Sequence, residues 1–366
     1  MANGGRPGGS GSSAAVTLYD VAREARVSTA TVSRVVHEQD RVRPSTRQRV
    51  LEVIEALGYV PDGAAQSLAQ QRKEVIGLVA IESRGPGTAV ERVGLLFIEE
   101  VLRGVESSLS EMGWSLLISF LRGVDPGGAY RRMQKISAKV DGMIIAEDVI
   151  GAAQLALLAA RIPVAVIAGS PDKPHVDVIG VDNRAGTRAL VRHMVERHGK
   201  TRLFYVAGPV EALDARERRS AFEEALAEHP GATLAGSFAG RFVAISGQQA
   251  VREILADRRR GLPDAILCGN DQMAIGAMRE LQSAGIRVPA DIAVAGFDDM
   301  HLSALLSPSL TTVRQPMRLL GDRACVRLLQ RISDPTLPTR IERLPTELVV
   351  RESCGCHGDA AAGLVR

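Results

Sequence analysis

The chain has 366 residues, more than one compact core normally accommodates, so two or three domains are expected. Hydrophobic residues make up 45% of the sequence and aromatic residues only 3%, so the core is aliphatic, which favours a buried parallel α/β sheet. The formal net charge of +3 is too small to indicate that the whole surface binds nucleic acid.

The cysteines give no disulfide framework, and thiols in a reducing compartment are the simpler interpretation. The segment Cys354-Gly-Cys-His357 has some metal-like character, but it lies in a small-residue tail without a second cluster of ligands along the chain. We therefore predict no metal site and no cofactor. The four cysteines are Cys268, Cys325, Cys354 and Cys356.

Residues 1–15 are rich in glycine and serine and are predicted to be a disordered leader. No apolar stretch precedes Val16, so this segment does not have the pattern of a secretory signal. No apolar run in the chain is long enough to span a bilayer. The expected location is the cytoplasm, with no membrane partner.

Residues 16–36 have the pattern of two short helices joined by a tight turn. Thr17 can cap the first helix with Asp20 as its capping-box partner. Ser28 can cap a second helix that begins at Thr29 and buries Val32, Val35 and Val36. This is the helix-turn-helix arrangement, in which the second helix lies in the DNA major groove.

The outer face of the second helix suits contact with DNA. Thr29, Ala30 and Thr31 are small enough for a close approach to base edges, while Ser33 and Arg34 can reach a phosphate or a guanine. A plain helical hairpin in a bundle is the alternative. Nearby arginines either form a basic patch or an ordinary solvated face; they are Arg41, Arg43, Arg47 and Arg49.

A third helix is predicted to start at a second capping box, Ser45 with Gln48, and to end at Gly58. Its apolar residues recur at helical spacing. A linker with some helical propensity follows at 62–74, and it is too short to be stable alone. Leu68 in this linker either docks on the next domain or contacts a partner.

From Val75 onward, aliphatic strands alternate with amphipathic helices, which predicts βαβ units and parallel sheets. The alternation occurs twice at similar length, so two similar half-domains are expected. A ligand cleft should lie between them at the carboxyl ends of the strands. The predicted strands are 75–81, 114–120, 142–146, 164–168, 203–207, 233–238, 265–268 and 292–295.

Several motifs in order resemble the lactose-repressor (LacI/GalR) family of bacterial transcription regulators. The resemblance begins with VTLYDVAREARVSTATVSRVV and covers roughly Val16 to Cys354. The other motifs are TRQRVLEVIEALGYVPDGAAQSLA, GVDNRAG (180–186), HGKTRLFYVAG (198–208), PDAILCGNDQMAIGAM (263–278), VPADIAVAGFDD (288–299) and SPSLTTVRQP (307–316).

The resemblance implies an all-α helix-turn-helix headpiece with a hinge helix, followed by an α/β two-lobed core with parallel sheets, like a periplasmic binding protein. The implied domains are a headpiece at 16–61, a hinge at 62–74, a core at 75–353 and a flexible tail at 354–366. Within the core, the implied N-lobe is about 75–181 and 315–340, and the C-lobe about 183–312 and 342–353.

The resemblance also implies DNA contacts. Thr29, Ala30 and Arg34 match base-reading positions, and Leu68 matches a hinge leucine that wedges into the minor groove and kinks the duplex. Proteins of this family are dimers on near-palindromic operators, since two-fold symmetry in the protein requires it in the site. Positions that match phosphate contacts or orient the helix are Thr17, Tyr19, Ser28, Thr31, Ser33 and His37.

Four residues match the effector-binding positions of the family: Arg218, Phe242, Asn270 and Asp298. An arginine fork, acidic and amide groups and an aromatic face suit a sugar or a nucleoside, and we expect a sugar-like effector rather than a nucleobase. Other roles are open: Asn270 can cap a helix, Asp298 can be a turn residue, and Arg218 can lie on a solvated helix face.

The sequence departs from the family pattern at four places. Arg26 stands where glycine is usual, so it must adopt a left-handed backbone or reshape the turn, at about 1 kcal/mol. Gly63 should weaken the hinge helix by about 1 kcal/mol. The loop at 82–95 lacks the usual N-lobe ligand motif, and the tail lacks the leucine heptads of a tetramerisation helix.

The sequence thus predicts an effector-responsive, dimeric repressor rather than an enzyme. A solute-binding protein that only delivers a sugar is one alternative, and the N-terminal 69 residues argue against it. An α/β enzyme is the other, but the sequence has neither a G-x-G-x-x-G fingerprint after the first strand nor a G-x-S-x-G elbow.

Overall fold

The chain divides into two compact units, Met1–Lys73 and Glu74–Arg366. In the computed structural model no described helix is both long and apolar enough to cross a bilayer. The predicted leader and two predicted DNA contacts, His37 and Leu68, lie outside the described residues. The structure describes residues 16–36, 42–59, 72–82, 96–122, 125–146, 150–173, 175–257 and 261–356.

Both predicted caps of the helix-turn-helix are confirmed. The Thr17 hydroxyl oxygen accepts from the Asp20 N–H at 3.4 Å, and the Asp20 carboxylate accepts from the Thr17 N–H at 3.0 Å. The Ser28 hydroxyl oxygen accepts from the Thr31 N–H at 3.2 Å. These bonds satisfy amides that the first helical turn leaves without partners. The first unit contains helices α1 (Leu18–Glu24), α2 (Thr29–Val36) and α3 (Pro44–Leu57).

The predicted capping box of the third helix is wrong. The helix begins at Pro44, and Arg43 at the N-cap makes no side-chain bond to it. Proline is favoured at this first helical position because it has no N–H to satisfy and its φ is already helical. The predicted end is confirmed, since Gly58 takes a left-handed φ of +60°.

A small aliphatic core joins the three helices of the headpiece. Arg26 in the turn has φ +53°, so the chain uses the left-handed backbone rather than a reshaped turn. Val36, which was expected in the core, is only partly buried. The fully buried residues are Val21, Ala22, Ala25, Val32, Val35, Val50 and Tyr59.

The N-lobe of the second unit is a six-stranded sheet with helices on its faces. Its strands are β1 (Val75–Glu82), β2 (Ser115–Arg122), β3 (Gly142–Ala146), β4 (Val164–Ile167), β5 (Asp177–Val181) and β11 (Ile341–Leu344). They are all parallel, in the order β11-β5-β4-β3-β1-β2. The helices are α4 (Leu96–Ser110), α5 (Pro126–Ser137), α6 (Ala152–Ala159) and α12 (Met317–Ser333).

The C-lobe repeats this plan around a parallel sheet in the order β7-β6-β8-β9. Its strands are β6 (Arg202–Ala207), β7 (Thr233–Ala239), β8 (Ala265–Cys268) and β9 (Ala293–Ala295), and an antiparallel pair β10 (Thr312–Arg314) and β12 (Glu347–Val349) lies beside them. Its helices are α7 (Asn183–Arg192), which continues as a π-helical turn (His193–Arg197), α8 (Leu213–Ala227), α9 (Ala244–Ala256), α10 (Asp271–Ser283) and α11 (His301–Leu305).

The predicted lobe boundary near the end of the core is wrong by a few residues. The stretch 342–353 was assigned to the C-lobe, but β11 pairs with β5 at the edge of the N-lobe sheet. Leu344 is 5% exposed in the N-lobe core, so burial of this side chain holds the strand there. The third crossing between the lobes therefore lies between Leu344 and Glu347.

In both lobes a pair of helices is in close backbone contact through glycines. A Cβ on Gly104 of α4 would overlap the Arg318 carbonyl of α12, and a Cβ on Gly276 of α10 would overlap the Ala244 carbonyl of α9. These glycines set the helix separation because no larger residue fits without moving backbone. Each lobe therefore contains one tightly packed helix pair.

The start of the predicted flexible tail is ordered. Cys354 is 1% exposed at the end of a 3₁₀ turn, Glu352–Cys354. The neighbouring Ser353 hydroxyl donates to the Val294 carbonyl at 2.6 Å and accepts from the Thr311 N–H at 2.8 Å. These bonds fasten the segment to the C-lobe as far as Cys356, and residues 357–366 lie outside the described residues.

Candidate functional site

The exposed face of α2 in the headpiece carries several of the predicted DNA contacts. Ala30 and Arg34 are exposed on α2, and Thr29 and Ser33 are partly exposed. Ala30 and Arg34, like Thr29 and Ser33, are four residues apart, so these side chains lie on one face of the helix. That face is opposite to the valines that α2 buries in the headpiece core.

The remaining predicted phosphate contacts lie at the helix starts. Tyr19 on α1 is 75% exposed, which is unusual for an aromatic side chain without a partner surface. Thr17 and Ser28 are exposed caps, and Thr31 shares a 2.9 Å hydroxyl hydrogen bond with Ser28. The hydroxyls of Ser28 and Thr31 therefore order the start of α2, and their exposed edges remain accessible to an anion.

A second candidate site lies at the carboxyl edge of the C-lobe sheet. Three of the predicted effector residues follow strands directly: Phe242 follows β7, Asn270 follows β8 and Asp298 follows β9. Arg218 lies on α8, the helix after β6. Loops at this edge meet because the strands are parallel, and this is the expected ligand position in such sheets.

Arg218 is the centre of a buried polar cluster, with only 3% of its surface exposed. Its Nε donates to Asn183 Oδ1 at 2.8 Å and its Nη1 to the Gly269 carbonyl at 2.7 Å. The guanidinium stacks on Phe297, with Cζ 3.7 Å from the ring centroid, which is a cation–π contact. Arg218 is therefore not on a solvated helix face, whereas its neighbour Arg219 is exposed.

Two carboxylates face the Arg218 guanidinium without contacting it closely. Asp214 Oδ2 lies 3.5 Å from Nη2, and Asp298 Oδ1 lies 3.5 Å from Nη1. Charge-assisted hydrogen bonds of this type are normally about 2.7–2.9 Å long. The cluster thus contains one cation and two acids, and Arg218 forms a close ion pair with neither acid.

Burial raises the pKa of Asp298 to about 8, since it disfavours the charged form more than the nearby Arg218 charge favours it. The negative charge of Asp271 adds to this rise. The backbone of Asp298 has φ +128°, a conformation that side chains rarely adopt and that concentrates at ligand sites. Asp298 accepts a 2.6 Å hydrogen bond from Gln315 Nε2, so it is not a simple turn residue.

Both polar atoms of the Asn270 side chain make hydrogen bonds within the C-lobe. Its Oδ1 accepts from the Met273 N–H at 3.0 Å and caps α10, and its Nδ2 donates to the Phe242 carbonyl at 3.1 Å. The alternative role predicted for Asn270, capping a helix, is therefore confirmed. Phe242 is partly exposed with φ +60°, and its ring covers the backbone of Gly208, where a Cβ would overlap it. Asn270 thus positions the aromatic residue.

Sequence reasoning missed four residues of the cluster: Asn183, Asp214, Phe297 and Gln315. Asn183 and Gln315 lie in two quoted motifs, GVDNRAG and SPSLTTVRQP, and each follows or precedes a crossing between the lobes. Gln315 Oε1 is buried and has no hydrogen-bond partner among the described residues. An orphaned buried acceptor costs about 1–3 kcal/mol, so it indicates a place for a ligand donor.

One ion pair joins the two lobes beside this cluster. Arg343 on β11 of the N-lobe donates to Glu217 on α8 of the C-lobe through both Nη atoms, at 2.8 and 2.9 Å. Asn183 donates to the same carboxylate at 2.8 Å. Since Asn183 also binds Arg218, the interlobe pair and the buried cluster form one network.

One group of side chains among the described residues has the donor atoms of a metal site. His193 and His198 of the π-helical turn lie beside Cys354 and Cys356. The premise that the Cys-Gly-Cys segment has no second ligand cluster is therefore wrong, because residues more than 150 positions earlier fold against it.

The fold and the site define a class of protein: a helix-turn-helix unit on the same chain as a two-lobed core with a polar site at the interlobe edge. A model of the lacI family of bacterial regulatory proteins matches residues 17–62, and one of a periplasmic binding protein-like domain matches residues 191–354.

Curated relatives match almost the whole chain. The HTH-type transcriptional repressor PurR of Aliivibrio fischeri (strain ATCC 700601 / ES114) is 33% identical over 344 residues, which are 92% of this chain and 98% of the relative. PurR of Vibrio cholerae serotype O1 (strain M66-2) is 32% identical, covering 92% and 97%. The chain belongs to the lacI family of bacterial regulatory proteins.

Solved structures agree in fold. The lac repressor dimer bound to operator and the anti-inducer ONPF has a TM-score of 0.81 and 31% identity, covering 93% of this chain and 99% of that one. The complex of the transcriptional regulator CelR with cellobiose has a TM-score of 0.67 and 30% identity, covering 92% and 99%. The protein is thus a transcription repressor of this family with a ligand-binding core, and its relatives are regulators rather than enzymes.

Proposed function

We propose that the protein binds operator DNA and that a small molecule, bound between the lobes at Arg218, changes its DNA affinity. The observation that carries this is the incomplete pairing of the buried cluster. Arg218 stands 3.5 Å from each of two acids, and the buried Gln315 Oε1 has no hydrogen-bond partner in the part of the chain that the structure describes. A polar ligand could bind the groups around Arg218 and donate a hydrogen bond to Gln315. It would couple the lobes because Gln315 lies in a segment that crosses between them.

A sugar-like effector fits these side chains. The partly exposed ring of Phe242 can pack on C–H groups, while the carboxyl group of Asp298 and the amide of Gln315 can bind vicinal hydroxyls. The similar regulator CelR was solved as a complex with cellobiose, which supports a sugar. Several curated relatives bear the name PurR rather than that of a sugar regulator, so nucleobases and nucleosides are the second class to test.

For DNA, we infer that α2 reads the major groove with Thr29, Ala30 and Arg34. Thr17, Tyr19, Ser28, Thr31 and Ser33 contact phosphates or orient the helix. Arg34 is the one long donor on this exposed face, so it carries most of the direct base contact. His37 and the hinge Leu68 complete the contacts, with Leu68 kinking the operator centre. The headpiece at 16–61 and the hinge at 62–74 act as separate modules in this proposal.

A homodimer supplies the two headpieces that a near-palindromic operator requires. A groove of about 980 Å³ lies between α4, α11 and the start of α12. Leu302 is 42% and Leu305 80% exposed at α11, beside this groove. Exposed leucines at a groove favour association with a second copy, and a similar chain is a dimer on operator.

The effector part is tested by a thermal-shift screen of sugars, nucleosides and nucleobases on the full-length protein. A ligand at 100 times its Kd should stabilise the core by about 2.7 kcal/mol. Arg218→Lys should weaken binding of any hit at least about 10-fold, since lysine cannot reproduce the planar fork. Arg219→Lys is the matched control, because Arg219 is exposed and pairs with Glu223 on the same helix.

Equal loss of affinity in both variants would place the ligand elsewhere. If only nucleobases stabilise the protein, the effector is a nucleobase rather than a sugar, and the proposed site at Arg218 stands.

The DNA part is tested by selecting bound fragments from genomic DNA and measuring affinity by fluorescence anisotropy, with and without the hit ligand. Arg34→Ala should lower specific affinity by about 10- to 100-fold, with a smaller effect on random DNA. Arg252→Ala removes the same charge from an exposed position in the core and should change little. The proposal fails if no fragment is enriched, or if the two variants lose the same affinity.

A further inference from the structure

Four side chains with metal-binding atoms converge on the C-lobe, and the Arg218 site does not use them. They are His193 at the start of the π-helical turn, His198 directly after it, Cys354 at the end of the 3₁₀ turn and Cys356 two residues further on. One donor atom of each lies within 4.8 Å of all the others. Two thiols and two imidazoles in one cluster are the ligand set of tetrahedral zinc sites.

Three of the six separations between the donor atoms are close to those of a tetrahedral zinc site. His198 Nε2 lies 3.2 Å from His193 Nε2 and 3.4 Å from Cys356 Sγ, and His193 Nε2 lies 3.4 Å from Cys354 Sγ. Zinc–nitrogen and zinc–sulfur bonds of about 2.0–2.1 and 2.3 Å place tetrahedral ligands about 3.3–3.8 Å apart. Only small side-chain adjustments are therefore needed around a single ion.

The backbone irregularities of this region explain the convergence. Five residues of an α-helix turn the chain by about 500°, which would place His193 and His198 about 140° apart. The π-helical turn between them is wider and brings both rings together, in an edge-to-face contact with centroids 4.8 Å apart. Gly355 has φ +109°, and this left-handed turn between the cysteines returns the chain toward His198. Such π-helical insertions concentrate at functional sites.

We propose that His193, His198, Cys354 and Cys356 bind one zinc ion in a closed, structural site. Imidazole and thiolate together select zinc among the common divalent ions, and four protein ligands leave no position for a substrate. On binding, each thiol releases one proton to solvent, so two thiolates balance the charge of the ion. Cys354 then stops donating to the Arg351 carbonyl, which keeps its hydrogen bond from Thr311.

The ion would fasten the segment around Cys354 and Cys356 to the end of α7. Cys354 is fully buried, whereas the other three ligands are partly exposed, so the ion has a route of entry. Because the ligands are more than 150 residues apart in sequence, zinc would constrain a long segment and stabilise the folded C-lobe.

The test uses the full-length protein, purified in reductant without added metal or chelator. Zinc per chain is measured by inductively coupled plasma mass spectrometry. After removal of zinc, the protein is titrated with Co²⁺, whose absorption reports thiolate ligands and tetrahedral geometry. We expect one ion per chain, thiolate-to-cobalt charge-transfer bands, and a lower melting temperature after zinc removal.

Cys356→Ser and His198→Gln should each weaken zinc binding at least about 100-fold, more than is typical for loss of an outer partner. Both positions are partly exposed, so the variants should fold, and circular dichroism checks this. The matched controls are Cys325→Ala, a buried N-lobe cysteine, and His229→Gln, a C-lobe histidine that binds Glu196. Both controls should retain one zinc and the cobalt spectrum.

Three results would overturn the proposal. The first is wild-type protein that takes up much less than one zinc per chain when zinc is supplied. The second is a cobalt spectrum that is the same in the ligand variants as in the controls. The third is an intact mass lower by two hydrogens in reductant, which would show that Cys354 and Cys356 form a disulfide instead.

Discussion

Each lobe buries an arginine beside an aspartate, but the two clusters differ in how far they are paired. In the N-lobe, Asp177 is fully buried, and its Oδ1 accepts from Arg327 Nε and Nη2 at 3.1 and 2.9 Å and from the Arg340 N–H at 2.9 Å. Its Oδ2 accepts from Arg331 Nη1 at 3.4 Å. In the C-lobe, Arg218 faces two acids at 3.5 Å each.

The difference separates structural from ligand-binding chemistry. A buried charge costs several kcal/mol in lost hydration, and only close pairing offsets this cost. Asp177 is paired with two cations and a backbone amide, although Arg331 Nε beside it is buried without a hydrogen-bond partner among the described residues. The Arg218 cluster has two acids for one cation, and the buried Gln315 Oε1 has no hydrogen-bond partner among the described residues. The pairing of the acids, rather than burial alone, distinguishes the two clusters and supports the proposed effector site.

The largest effect is expected from Asp177→Asn. The amide would remove the carboxylate that pairs with Arg327 and Arg331, and it would leave one buried and one partly buried guanidinium without this counter-charge. We expect a loss of about 3–5 kcal/mol in the free energy of unfolding, measured by urea denaturation. The control is Asp172→Asn, an exposed aspartate of the same lobe that should change little. A loss below about 1 kcal/mol would show that the N-lobe cluster is not structural.

Much of the fold was predictable because local chemistry determines it. The caps at Thr17 and Ser28, the left-handed turn at Gly58 and the buried strands of both sheets follow from side-chain type and spacing. The start of α3 was not predicted correctly, since Pro44 and Ser45 both suit a helix start and proline was overlooked.

The sites were predictable only where one residue carries the signal. Arg218 and Asp298 were identified by resemblance, and Arg34 by its position on the exposed face of α2. Gln315 has no local signal, because its role depends on a crossing segment that brings it to Asp298. His193 and His198 were missed because helical spacing places them on different faces, and a π-helical turn is not visible in the sequence.

A second prediction uses the pH dependence of Asp298→Asn. The folded pKa of Asp298 is about 8 and its ordinary value is 3.8, so the folded chain holds a proton that the unfolded chain has lost. Stability should therefore fall as pH rises from about 4 to 8. For one proton, this loss is about 2 kcal/mol between pH 6 and 8. In Asp298→Asn this part of the pH dependence should disappear.

Urea midpoints of wild type and variant at pH 6 and pH 8 measure this difference. Asn keeps the acceptor for Gln315 Nε2, so the variant should fold at both pH values. Asp214→Asn is measured in the same way, because burial also raises the pKa of this neighbouring acid and it could contribute to the same pH dependence. If the wild type and Asp298→Asn lose equal stability between pH 6 and 8, then Asp298 is ionised in the folded protein and the two clusters are more alike than proposed.

The smallest effect is expected from Glu217→Gln, which removes the charge of the interlobe pair with Arg343. Both side chains are partly exposed, so the loss should be about 1 kcal/mol in low salt and should shrink as salt screens the pair. Glu223→Gln is the control, since Glu223 pairs with Arg219 within α8 and should cost about 0.3–0.5 kcal/mol. Since Glu217 also binds Asn183, which holds Arg218, Glu217→Gln should additionally change ligand affinity, and Glu223→Gln should not. Unchanged ligand affinity in Glu217→Gln would show that the lobe contact and the buried cluster act independently.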